Sequence, residues 1–553
     1  MSRFSAGRAA LLVIATLLFA SSLAGTAFAH PDHDDDAPGK NIPVPESEAE
    51  RQFDLVAALE LAEMQAGLEN VGLTRCTDGA AAGYACDGVD LISFIPLATL
   101  GGGEGNDLWG WTHKATGREF AIMGRTTGVT FVEITNPKNP KVIGTLPSHS
   151  FSSIWRDLKV YKNHVFIVSE AQQSGLQVFD LRELLSQKQI PHVFAETAHL
   201  PAWSNAHNIA MNEETGYAYV VGSNTCGGGL HMVDVSSPTE PVSAGCYSGD
   251  GYTHDVQCVT YMGVDTDHVG SEICFASNED TLTIVDVTNK AAPVQLARKL
   301  YAGVGYSHQG WLTEDHRYFV SDDELDELNG APKTKTYVWD LSDLDSPFVD
   351  FTFTGTTRAI DHNQYIRDGR SYQANYKAGV RIVSLDDVAT GSAAEVAYFD
   401  TFPQGDGAQF NGAWTAYPFY HANVIAVSTI DRGLFILGYE GESGSVHVGD
   451  LESASELAFP NRWRARGTVE VLDESGQPVA GAAVKVRWSN GKTRNCVTGA
   501  DGRCEVKVLR ANRFGKVWFR IVDVASGGAS YASWLNVDSD GDSNGFRDRV
   551  ARP

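Results

Sequence analysis

Trp155-Arg156-Asp157-Leu158, His164-Val165-Phe166-Ile167-Val168 and Leu176-Gln177-Val178-Phe179-Asp180 follow one another closely in the chain. The first opens an alternating strand, the second is a β-rich run, and the third ends on an acid; a turn and a fourth strand follow. The opening recurs at Asn106-Asp107-Leu108-Trp109, Ala206-His207-Asn208-Ile209, Thr253-His254-Asp255-Val256, Ser307-His308-Gln309-Gly310, Asp361-His362-Asn363-Gln364 and Asn411-Gly412-Ala413-Trp414. Successive starts lie roughly 50 residues apart, a propeller period. The third strand recurs at Leu230-His231-Met232-Val233-Asp234 and Leu282-Thr283-Ile284-Val285-Asp286, with Pro-bearing turns at Asn136-Pro137, Ser237-Pro238 and Ala292-Pro293. Four short antiparallel strands per repeat make a blade. The expected fold class is all-β: a seven-bladed β-propeller over residues 88–440. The seventh repeat has three clear strands, ending at Leu434-Phe435-Ile436-Leu437. Leu91 to Leu97 supplies the missing fourth, which closes the ring and leaves no exposed sheet edge.

Outward from the repeats, the chemistry changes at both ends. From Arg464, Gly467 to Val471, Gly476 to Val486 and Thr498 to Arg503 read as strand–turn–strand. They predict a small immunoglobulin-like β-sandwich over residues 464–553, after a linker at 441–463. At the other end, Arg3 and Arg8, the apolar run Ala9 to Ala20 and Ala27-Phe28-Ala29 predict a signal peptide over residues 1–29. The run is shorter than the ~20 apolar residues of a membrane span, and the mature chain has no transmembrane segment by this reading. Residues 30–46 form an acidic linker with His30 and His33. Residues 47–87 form a helical and disulfide segment; Ser47 with Glu50 fits a capping box for a helix from Ser47 to Leu68.

Removal of two arginines and no acids with the signal peptide takes the formal charge from −26 to −28. That disfavours nucleic acid and anionic membranes as partners. The eight cysteines fall into local pairs, Cys76–Cys86, Cys226–Cys246, Cys258–Cys274 and Cys496–Cys504. An even count in an exported chain favours disulfides; Cys246 with Cys258 stays open as an alternative. The expected location is secreted or cell-surface.

In a blade, the start of strand one and the end of strand two share a face. One mouth of the channel is therefore ringed by His207, His254, His308 and His362, with Asp107, Trp109, Arg156 and Asp157 from the remaining starts. Arg125, Glu170, Asn278, Glu279, Asp322, Asp323, Glu324 and Asn375 come from the second-strand ends, and Asn208, Asp255, Gln309 and Asn363 adjoin the histidines. Imidazoles beside carboxylates suit a divalent transition metal or a general acid–base pair. The bland alternative is that they hydrogen-bond loop carbonyls and neighbouring blades, since a repeat duplicates structural residues as readily as functional ones. Near the C-terminus, Asp538, Asp540, Asp542 and Asn544 resemble the opening of a calcium loop. Ser543 stands where the turn glycine belongs and Arg549 where the bidentate glutamate belongs, so a flexible acidic tail is the competing reading. No H-E-x-x-H, G-x-G-x-x-G or P-loop pattern occurs.

The ordered stretches Cys76-Thr77-Asp78-Gly79, Val89 to Phe94, Trp109-Gly110-Trp111, Val168 to Ala171, Gly251 to Asp255, His308 to Thr313, Asp322 to Glu327, Asp361-His362-Asn363 and Asn375-Tyr376 resemble the choice-of-anchor B family of LVIVD-repeat bacterial surface proteins. The resemblance implies an exported propeller tethered by interchangeable C-terminal sorting signals, and no assigned activity. Here Arg547 to Pro553 carries no apolar sorting tail, which leaves the sandwich as the candidate attachment or targeting module. Two functions are expected: a binding protein taking an extracellular protein, glycan or small molecule at the mouth, or a metal-dependent hydrolase or oxidoreductase using the His/acid cluster. The first is favoured, because no complete catalytic pattern is visible.

Overall fold

The second repeat folds as its apolar spacing dictates. Arg156–Tyr161, His164–Ser169, Leu176–Asp180 and Ala198–Leu200 form one antiparallel sheet. Val165, Ile167 and Phe179 pack into a core shared with the preceding sheet, and Phe166, Val168 and Val178 into one shared with the next. A strand buried on both faces reads as a continuous apolar run, which is the character of Val165 to Val168. The structure, a computed structural model, describes Gln65 and residues 67–441 and 443–553, all within one compact unit. The expected signal peptide, the expected acidic linker and nearly all of the helix expected from Ser47 lie outside the described residues.

Seven sheets of this kind succeed one another. Their first strands are Gly105–Thr112, Arg156–Tyr161, Asn208–Asn212, Asp255–Thr260, Ser307–Leu312, Gln364–Arg367 and Ala413–Tyr417. Each contacts the next, and the last contacts the first, so the all-β chain closes a β-propeller-like ring. Val89–Pro96 completes the seventh sheet, paired antiparallel with Gly433–Tyr439. Two additions have no counterpart in the repeat pattern. Tyr84–Asp87 extends the sixth sheet, with Cys86 opposite Phe399, and His192–Val193 adds a parallel strand to the first. No helix among the described residues is long and apolar enough to cross a membrane.

All eight cysteines are paired, as Cys76–Cys86, Cys226–Cys246, Cys258–Cys274 and Cys496–Cys504. Cys258 and Cys274 stand directly opposite on neighbouring strands, which removes the Cys246–Cys258 alternative.

The C-terminal part is two four-stranded sheets around a core that includes Val448, Trp463, Val486, Trp488 and Phe519. It begins earlier than the sequence predicts. Residues 445–459, read as linker, form the strand Ser445–Phe459. A register shift between Val448 and Asp450 interrupts the inward alternation of Val446, Val448 and Leu451, so the period-two signal is broken where the strand starts.

This part docks on the ring through Ser533–Leu535. Trp534 is fully buried in a core with Ile92, Ile95 and Leu434, and its indole N–H donates to Asp90 Oδ2 at 3.3 Å. Lys138 Nζ donates to the Asn536 carbonyl at 2.8 Å. A Cβ at Gly438 would lie 2.4 Å from the Trp534 ring, so only glycine admits the indole. Trp534→Ala is expected to loosen the docking and speed proteolytic separation of the C-terminal part from the ring. Limited proteolysis checks this; an unchanged cleavage pattern would show that other contacts suffice.

Candidate functional site

The polar residues at the strand starts first do structural work. Asn106 Nδ2 donates to the Ile154 carbonyl at 2.9 Å, and Ile209 N to Asp157 Oδ2 at 2.8 Å. Asn208 Nδ2 donates to the His254 carbonyl, and His254 Nδ1 to the His308 carbonyl at 2.9 Å. Gln309 exchanges two hydrogen bonds with the Gln364 backbone. His362 Nδ1 donates to the Trp414 carbonyl at 2.7 Å, and Thr415 Oγ1 to Asp107 Oδ1. Each neighbouring pair of sheets is stitched at least once, so Asp107, Asp157, Asn208 and Gln309 have a sufficient reason in the ring itself. Asn363, bonded to Thr415 Oγ1, adds a second stitch.

The histidines do more than stitch. Their rings stand in a row, with centroids 4.3 Å apart from His207 to His254, 4.2 Å to His308 and 4.4 Å to His362. His254 and His362 point Nδ1 at carbonyls, which accept only, while His207 points Nδ1 at Glu170 and His308 at Asp322. An Nδ1–H committed to a carbonyl, as in His254 and His362, is the outer-shell arrangement of metal-ligating imidazoles. Nε2 of His308 lies 3.9 Å from Glu324 Oε2, and Nε2 of His362 lies 3.9 Å from Oε1. His254, His308 and Glu324 each offer a ligand atom within 4.8 Å of the others. Tyr376 Oη donates to Glu324 Oε1 at 2.8 Å, while Oε2 is buried with no hydrogen-bond partner. Burial opposes the charged form of His308, but Glu324 and Asp322 outweigh it and raise its pKa to about 9.

A second layer lies one step along the strands. Lys159 is buried against Asp157 at 2.6 Å and Asp107 at 3.4 Å, with its ammonium 4.7 Å from the Trp109 ring. Burial disfavours its charge, and Asp157 and Asp107 more than restore it. Burial raises Asp255 to about 7 against the pull of Lys159. Then come the aromatic rings of Trp109, Tyr365 and Trp311, in edge contacts at 5.5 and 4.9 Å.

The other predicted residues scatter around this axis. Arg156 reaches the Arg125 carbonyl and Ser148 Oγ, and burial lowers its pKa to about 10. Asp323 turns away to accept from Gly305 N, Tyr306 N and the Tyr301 hydroxyl. Asn375 Nδ2 donates to Gln373 at 3.5 Å, while its Oδ1 is buried without a partner. Glu279 holds a positive φ and bridges to Ser307 through its backbone. Lys159 and Tyr376 stand beside these groups and were not placed at the mouth by the repeat alignment. The i, i+2 spacing of Asp157 and Lys159 on one strand face was the available signal.

At the C-terminal loop, Asp538 and Asp540 come together with Asp450, which the sequence reading placed in a linker. Asn544 instead accepts from Phe546 N and Arg547 N as a turn cap. Burial and Asp540 raise Asp542 to about 6. A cleft of about 480 Å³ between ring and sandwich is lined by Glu119, His421, Arg520 and Asn544, and by none of the mouth residues.

Comparison with known families finds the LVIVD repeat at residues 205–248 and 273–298, in the third and fourth sheets. No curated protein matches the chain. Among solved structures, an extracellular domain from B. thetaiotaomicron is 12% identical at a TM-score of 0.41; the match covers 83% of this chain and 59% of that one. A functionally unknown protein from Desulfotomaculum acetoxidans is 10% identical at 0.39, covering 56% and 88%. A protein from Lactobacillus plantarum is 12% identical at 0.37, covering 73% and 99%.

Proposed function

We propose that the protein is an exported seven-bladed β-propeller carrying an immunoglobulin-like sandwich, and that the propeller mouth is a divalent transition-metal centre through which it binds an extracellular ligand. His254, His308 and Glu324 are the protein ligands, His207 and His362 flank them, and Tyr376 and Asp322 orient Glu324 and His308. The observation that carries this reading is Glu324 Oε2, buried without a hydrogen-bond partner and 3.9 Å from a histidine nitrogen. A buried carboxylate oxygen in that state is costly unless a cation meets it, and the His308 imidazolium at 3.9 Å makes no hydrogen bond to it, whereas a bound metal would contact it directly. Three protein ligands leave a coordination position for a ligand atom. Binding, rather than turnover, is retained because the acids around Lys159 are committed to the ring. The four disulfides and the absence of free cysteine support export into an oxidising compartment.

Elemental analysis of the purified mature protein tests the reading. One zinc, copper, iron or manganese ion per chain is expected, and His254→Ala with His308→Ala should lose it. Metal-free protein that melts at the same temperature with and without added metal would overturn it.

A further inference from the structure

A second cluster lies just beyond the histidine row. Asp326, Glu327 and Asp361 each bring a carboxylate oxygen within 4.8 Å of the others. Their residues are only 4%, 6% and 2% exposed. The polar contacts available to them are few. Lys335 Nζ pairs with Asp326 Oδ2, and Lys335 N donates to Asp361 Oδ2 at 3.1 Å. Asp326 Oδ1, Asp361 Oδ1 and both Glu327 oxygens remain buried without a hydrogen-bond partner. One ammonium thus faces three carboxylates, with four acceptor atoms unmet. Buried charges in proteins are paired or coordinate metals, because an unmet carboxylate out of water is among the costliest groups to hold.

We propose that Asp326, Glu327 and Asp361 hold a hard divalent cation, calcium, at a site separate from the histidine centre. The donor set is all oxygen, without imidazole or thiolate, which selects a hard cation over zinc or copper. Calcium accepts an irregular shell of about six to eight oxygens and completes it with backbone carbonyls and water, whereas magnesium demands a near-ideal octahedron. Asp326 and Glu327 lie in a tight turn closed by Gly330 N on the Glu327 carbonyl and Ala331 N on the Asp326 carbonyl. Asp361 immediately precedes the sixth sheet. The ion therefore ties the fifth sheet to the sixth and pins the two segments that deliver Glu324 and His362 to the mouth. The proposal stands whether or not the histidines hold a metal.

The test uses the full mature chain, stripped with EGTA and then titrated with calcium alone, reading bound calcium per chain and the melting temperature. Glu327→Gln with Asp361→Asn is expected to bind one calcium fewer than the parent and to lose most of the calcium-induced rise in Tm. In EGTA it should melt no lower than the parent, because the amides remove the mutual repulsion. Asp538→Asn with Asp540→Asn separates the C-terminal acids and should leave this site filled. If the double variant does not fold by circular dichroism, Glu327→Gln alone carries the same comparison. Unchanged calcium stoichiometry and Tm rise in the Glu327 variants, or a parent that binds no calcium at millimolar concentration, would overturn the proposal.

Discussion

Deletion of residues 88–100 is expected to abolish the cooperative unfolding transition of the ring. Val89–Pro96 pairs along its whole length with Gly433–Tyr439. Val89, Leu91, Ile92 and Phe94 are at most 1% exposed, and they feed two cores, one shared with the sixth sheet and one with the first. Burying each such side chain stabilises by about 2 kcal/mol, so the strand contributes on the order of the ~5–15 kcal/mol that holds a whole domain together. Its loss also opens the ring between the last sheet and the first and exposes the edge at Gly433–Tyr439. Calorimetry of the deleted chain should show a broad, low-enthalpy transition; a sharp parent-like peak would mean the ring does not depend on this closure.

Lys159→Met is expected to cost about 3–5 kcal/mol, the usual penalty for removing one partner of a buried ion pair. Lys159 is the cation that Asp157 and Asp107 share, and all three side chains are nearly sealed from water. Burial would raise the Asp157 pKa, but Lys159 outweighs it and holds the carboxyl below its usual range. In the parent, then, Asp157 contributes stability above the unfolded carboxylate pKa of about 4, which fades as pH falls through the lower folded value. In the variant the sign reverses: Asp157 prefers to be protonated and costs stability as pH rises past about 4. The gap between the two proteins should narrow in acid and be full at neutral pH. Asp157→Asn in the Lys159→Met background should recover much of the loss. Urea unfolding at neutral and acid pH checks all three; a pH-independent gap would point to lost packing instead.

Much of the ring was readable because its strands are buried on both faces, so their apolar runs survive any register. Val165 to Val168 and Leu434 to Leu437 needed no partner to be recognised as strands. The strand at Ser445 was not readable, because a bulge breaks its alternation and because Gly449, Glu452 and Ser453 give it a loop-like composition. The histidines were placed on one face by repetition alone. Repetition could not say that Asp107, Asp157, Asn208 and Gln309 stitch neighbouring sheets, nor that Asp323 faces away from Asp322 and Glu324. Consecutive acids on one strand diverge by the pleat, and which of them meets the histidines is decided by the ring. The Asp326, Glu327 and Asp361 cluster was hidden for the same reason, since its members come from two repeats and only the closed ring brings them together.

The most direct measurement of the central claim is anomalous diffraction, at the absorption edge of whichever transition metal the purified protein carries, from crystals of the intact chain. The account predicts a peak about 2.0–2.2 Å from a nitrogen of His254, a nitrogen of His308 and a carboxylate oxygen of Glu324. A metal-loaded crystal whose only peaks lie elsewhere, with His308 paired directly to Glu324, would contradict it.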